Sequence, residues 1–167
     1  MLNDPFEFSW PDSCDIVADI SWTKPSPHDL LFSGGMDEND SAYFYSIVAY
    51  AERDWWPYYI GMTHRQSASI RNKQADHRAR LSKLKFDYPS LTFSISLGTP
   101  TFATGTLSEA NIKAVEGLLI YTNWHEKMDN SKNVARYAAS MQIYVRNVGW
   151  NAHLYPESAY GAFYRGH

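Results

Sequence analysis

A single α+β domain is the fold class that this sequence predicts, and three observations predict it. The chain has 167 residues, room for one ordinary core and too little for a second independent one. Its composition is 44% hydrophobic, 16% aromatic and 20% charged, which is globular and argues against disorder or fibre. Segments of strand character alternate along it with two segments of helical character.

Residues 1–41 hold Pro5, Pro11, Pro25, Pro27 and the pair Gly34 and Gly35. They read as an acidic, irregular N-terminal extension, with the apolar piece 16–20 as its one candidate strand. The run YFYSIVAY (43–50) is aromatic and β-branched, Glu52, Arg53 and Asp54 are polar, and WWPYYIG (55–61) is aromatic again. Two strands around a short polar turn follow from that pattern. Pro57 cannot donate to a ladder, so it belongs at the start or on a free edge of the second strand. Residues 67–85 are rich in Arg, Lys, Gln and Ala, with Ile70, Leu81 and Leu84 as apolar points, and predict a mainly polar helix. Residues 91–98 alternate Leu91, Phe93, Ile95 and Leu97 with Thr92, Ser94 and Ser96, the period of a half-buried strand. Thr106 and Glu109 form a capping box that opens a helix over about 107–123. A short strand is expected at 141–145. The organisation is thus an extension over 1–41, a core over 42–135 and a C-terminal extension over 136–167 packed on the core.

No run of 18 uncharged apolar residues exists, which excludes a membrane-spanning helix, and no apolar stretch of secretory type precedes Lys24, the first basic residue. With Cys14 the lone cysteine, an internal disulfide is impossible and a cytoplasmic location is expected.

The net charge of −3 divides unevenly. Residues 1–54 carry 11 acids against Lys24 and Arg53. Residues 64–85 carry Arg65, Arg71, Lys73, Arg78, Arg80, Lys83 and Lys85 against Asp76 alone. Such a block is either an electrostatic footprint for phosphate or a solvated helix face.

On the second helix Ile112, Val115, Leu119 and Ile120 define a buried stripe, and Glu116 lies inside it. A carboxylate against a core must be neutral, paired with a cation or bound to a metal. On the hairpin, Tyr43, Tyr45 and Ile47 share one face of the first strand while Tyr59 and Gly61 share one face of the second. Antiparallel pairing can bring Tyr45 and Tyr59 together, with Gly61 admitting a close approach. The remaining histidines, His28, His64, His125, His153 and His167, have no spacing that suggests a metal cage.

The ordered series Tyr45-Ser46-Ile47, Tyr59-Ile60-Gly61-Met62-Thr63, Arg71, His77, Glu116-Gly-Leu-Leu119-Ile120 and Asn130-Ser131-Lys132 resembles the motifs of the GIY-YIG nuclease superfamily, over residues 42–135. The resemblance implies a small α/β sandwich with a central antiparallel three-stranded sheet flanked by helices. It implies a metal-dependent DNA endonuclease in which Tyr59 is the general base and Glu116 binds Mg²⁺ or Mn²⁺. Tyr45 would be a hydrogen-bonding partner to phosphate or water, Arg71 an electrostatic clamp, and His77 a phosphate ligand or proton relay. Gly61 and Asn130 would support the site, while Arg65, Lys73, Arg78 and Arg80 of the basic helix would hold the nucleic-acid backbone. RNA is left open as a substrate, and cutting both strands calls for a homodimer. The alternative is a catalytically weak or inactive nucleic-acid-binding or protein-interaction module on the same fold. Tyr43 and Phe44, standing where the family usually has Gly and Ile, and the acidic overall charge favour that alternative. No recognisable specificity domain accompanies the core.

Overall fold

The computed structural model describes residues 14–27, 42–63 and 75–161, with side chains in the first helix from Arg78 onward. Among these the elements are β1 (Ile16–Trp22), β2 (Ser26–Pro27), β3 (Phe44–Ala51), β4 (Asp54–Met62), α1 (Ala75–Asp87), β5 (Phe93–Thr104), α2 (Glu109–Asn123), β6 (Ile143–Gly149) and β7 (Glu157–Tyr160). All seven strands belong to one mixed sheet in the order β4-β3-β5-β1-β6-β7, with β2 beside β5, and the sheet curls into a half-barrel.

The expected three-stranded antiparallel sheet flanked by helices is therefore incorrect. Strands β4, β3 and β5 do pair antiparallel, but they form one end of a larger sheet in which β1 runs parallel to β6. The physical reason is distance along the chain. Asp19 and Arg146, register partners in β1 and β6, are 127 residues apart, and local periodicity carries no record of such pairing. The single candidate strand of residues 1–41 is β1, and it lies inside the sheet between β5 and β6. Its Ile16, Ala18, Ile20 and Trp22 are buried, and a two-pronged Arg146–Asp19 ion pair, at 2.9 and 2.8 Å, clips it to β6.

The β3–β4 hairpin closes on Glu52 and Arg53, both with positive φ (55° and 68°), the conformation that matches a two-residue turn to the twist of its strands. A bulge follows Ile47, so that Ile47 opposes Tyr59 and Val48 opposes Pro57. Tyr58, skipped in the register, turns to the same side as Tyr59. Pro57 lies on the edge strand β4, where a missing donor is tolerated.

Strand β5 changes partners along its length. Its first half pairs with β3 and its second with β1. Gly98 marks the exchange, because a Cβ there would lie 2.9 Å from Ile20. The Gly98 carbonyl accepts from Tyr43 N–H, so Gly98 and, two residues on, Pro100 face their polar backbone toward β3. By Pro100 that strand has ended, and its missing donor breaks no ladder. This run beyond Gly98 extends the strand expected at 91–98.

Helix α2 packs Ile112, Val115, Leu118 and Leu119 into the main core with Phe44, Ile60, Ile143, Val145 and the buried residues of β1. Its N-cap is Ser108, whose Oγ accepts from Asn111 N–H at 3.2 Å, rather than the Thr106–Glu109 box that the sequence suggests. Asn111 instead binds the Thr106 carbonyl through Nδ2, which leaves Ser108 in the capping position. On the opposite face of β3 and β4, α1 seats Leu84 against Ile47, Ala49, Tyr58 and Phe93. The expected polar helix overlaps α1 from Ala75 on, and residues 67–74 lie outside the described set. The strand expected at 141–145 is β6, shifted toward the C-terminus.

Candidate active site

Across the hairpin register Tyr45 faces Gly61 and Ile47 faces Tyr59. A Cβ at residue 61 would lie 2.7 Å from both Cζ and the hydroxyl of Tyr45, so glycine is what admits the Tyr45 ring across β4. The ring then meets Tyr59, with centroids 5.9 Å apart and planes 32° tilted. Tyr45 is fully buried and Tyr59 half-buried. Of the two, Tyr59 has surface to offer a ligand, and Tyr45 braces it. Tyr43, expected on the same face, precedes β3 and packs against the α2 core instead.

Arg80 reaches Tyr59 from α1, its Cζ 3.9 Å from the ring centroid. Its Nε donates to Asp129 Oδ2 at 2.8 Å, and Lys83 Nζ lies 3.7 Å from Asp129 Oδ1. A cation over a ring face is attracted to it, more strongly as the ring gains negative charge. Sequence reasoning assigned Arg80 to the nucleic-acid backbone and missed Asp129. A usable signal existed, because Arg80 lies four residues before Leu84 and hence on the same helix face as that buried anchor.

After α2 the chain returns along the free edge of β4. His125 Nε2 donates to the Pro57 carbonyl at 3.0 Å, while its Nδ1 accepts from Lys127 N–H, which fixes the neutral tautomer. Burial lowers the pKa of His125 against the pull of the Pro57 bond. Asp129 N–H donates to the Tyr58 carbonyl at 2.8 Å. Asn130 accepts from Ile60 N–H at 3.0 Å and donates to the Ile60 carbonyl at 2.8 Å. Its side-chain amide thus imitates a further strand and covers an edge open to foreign pairing. Tyr58 beside it stays a neutral phenol, since burial first, and the Asp129 charge second, push it up to about 12.

Glu116 is half-buried on α2, next to Gly117, where Tyr137 and Asn133 approach too closely for a Cβ. Helix α2 packs on the face of β3 and β4 that carries Phe44 and Ile60, opposite the tyrosine pair. Among the described residues no three His, Cys, Asp or Glu side chains converge as a metal cage. Glu116 is thus a single carboxylate on α2, with the sheet between its helix and Tyr59. Arg65, Arg71 and Lys73 lie outside the described residues, as does the side chain of His77, and Arg78 is exposed on α1.

Compared with protein-family models, with curated proteins and with solved structures, the chain finds no match in any of the three. Among the described residues no helix is long and apolar enough to cross a membrane.

Proposed function

We propose that the chain is a metal-dependent endonuclease of GIY-YIG type that hydrolyses phosphodiester bonds in DNA. The observation that carries this reading is Tyr59, half-buried with a guanidinium over its ring and a fully buried tyrosine against it. A free phenol has a pKa near 10, so at neutral pH only about one in a thousand is ionised. Positive charge held against the ring favours the phenolate, which then takes the proton of the attacking water. The water oxygen adds to phosphorus and the 3′ oxygen leaves. Arg71 and His77 belong to the phosphate side of this scheme, and Arg65, Lys73 and Arg78 to the nucleic-acid backbone. Gly61 keeps the tyrosine pair in contact, and Asn130 holds β4 straight behind it. Mg²⁺ or Mn²⁺ at Glu116 would lie across the sheet from Tyr59, so no step of the Tyr59 scheme runs through it, and the metal dependence rests on the motif series alone. The protein acts in the cytoplasm, and two copies cut the two strands.

One observation favours a second reading, a binding module with little or no catalysis. Tyr45, the second tyrosine of the motif series, is fully buried and so cannot itself touch phosphate. The two readings part on Tyr59→Phe in a plasmid-nicking assay. A nuclease loses about 10²-fold or more of its rate with its general base while DNA binding persists; equal rates for wild type and variant remove Tyr59 as the base. Replacing DNA by RNA of the same sequence decides between the two substrates.

A further inference from the structure

We infer that Asp129 is a positioning residue: its carboxylate fixes Arg80 across the ring of Tyr59 and makes Arg80 the cation that favours the Tyr59 phenolate. The catalytic consequence rests on the nuclease reading; the geometry does not.

The loop that carries Asp129 grips β4 on both sides of Tyr59. Asp129 N–H holds the Tyr58 carbonyl, and the Asn130 amide holds both backbone groups of Ile60. Tyr59, between these two anchors, has little freedom to shift relative to the loop. From the same anchored residue the Asp129 carboxylate takes Arg80 Nε at 2.8 Å, and the guanidinium carbon sits 3.9 Å from the ring centroid. An arginine side chain has many rotamers, and an ion pair to a fixed backbone removes most of them. Both partners are mostly buried, with side chains 19% and 25% exposed, so water screens the pair less than it would at the surface.

The charged and titratable groups around Tyr59 include Arg80 from α1, Tyr45 and Tyr58 from the hairpin and Tyr88 after α1, with Asp129 behind Arg80 and Lys83 beside Asp129. Asp129 therefore acts on Tyr59 in two opposed ways. Its own negative charge disfavours the phenolate directly, whereas its hold on Arg80 keeps a nearer positive charge against the ring. Positioning by Asp129 means that the second effect exceeds the first.

Tyrosine-selective ¹³C NMR of the full chain decides between them, with the Tyr59 signal assigned by its loss in Tyr59→Phe and followed through pH in wild type, Arg80→Gln, Asp129→Ala, Asp129→Ser and Asp129→Asn. Arg80→Gln, Asp129→Ala and Asp129→Ser are each expected to raise the Tyr59 midpoint by about one unit, which is tenfold less phenolate at neutral pH. Asp129→Asn retains an acceptor for Arg80 Nε and is expected to leave the midpoint at or below that of wild type. A midpoint that stays or falls in both folded truncations would overturn the inference, and reading two truncations keeps the test open when one fails to fold. Plasmid nicking at pH 7 in the same variants separates the two levels. Raised midpoints without nicking in any protein uphold Asp129 as positioning Arg80 and remove the nuclease; nicking with an unmoved Tyr59 does the reverse.

Discussion

Asn130 holds the outward backbone groups of Ile60 with its side chain alone, and the one other side chain with the same amide donor and acceptor, glutamine, is a methylene longer. Asn130→Ala removes both bonds and should lower stability by about 1–3 kcal/mol, measured as a shift in the urea midpoint. An unchanged midpoint would mean that solvent replaces the amide without loss. A different single-residue effect belongs to His153. It is 4% exposed, neither ring nitrogen has a hydrogen-bond partner among the described residues, and it stacks on Trp150 with Trp22 edge-on. Burial lowers its pKa to about 3, below the ordinary value near 6.5. As pH falls the unfolded chain takes up that proton first, so the stability from neutral His153 is complete above about pH 6.5 and is lost progressively toward pH 3. Wild type should therefore lose more stability than His153→Phe between pH 7 and pH 4. Parallel urea midpoints for the two proteins over that range would contradict the burial of an uncharged ring.

At the scale of elements, the hairpin was legible because its two strands are neighbours in sequence and both show the aromatic and β-branched pattern of paired strands. Strand alternation with antiparallel pairing put Tyr45 and Tyr59 within reach of each other, and their ring centroids lie 5.9 Å apart. The bulge that brings Tyr58 to their side was not legible, because a register shift leaves no mark in a run as uniformly aromatic as WWPYY. Two substitutions test the hairpin from opposite directions. Gly61→Ala drives a Cβ into the buried Tyr45 ring and should cost about 1–3 kcal/mol, with Tyr59 displaced and nicking reduced alongside; a variant as stable as wild type would show that Tyr45 moves aside freely. Glu52→Asn with Arg53→Gly places residues suited to positive φ at the two turn positions. It should raise stability by about 1 kcal/mol, seen as a higher melting temperature, and a lower one would point to a side-chain role for Glu52 or Arg53. On α1 the spacing of Arg80 to Leu84 was visible, but the partner that gives it meaning, Asp129, comes from a loop 49 residues further on.

For the whole molecule, the sheet depends on contacts that no local pattern reports. Strand β1 was legible only as a short apolar piece, and its place between β5 and β6 is set by a parallel pairing with the far end of the chain. The half-barrel that results puts α2 on one face and α1 on the other, with the tyrosine pair under α1 and Glu116 on α2. Charge divides along the chain in the same uneven way, acidic before Arg53 and basic from Arg65 to Lys85. Binding to DNA through that basic stretch should weaken steeply as salt rises, because phosphate contacts release counterions; an affinity indifferent to salt would contradict it. The most direct measurement is nicking of supercoiled plasmid by wild type and Glu116→Ala in Mg²⁺, in Mn²⁺ and in chelator. A GIY-YIG-type nuclease nicks with either metal, stops in chelator and is lost in Glu116→Ala at unchanged fold. Nicking by wild type that survives the chelator, or none at all from folded protein with plasmid, branched DNA or RNA, would contradict that function.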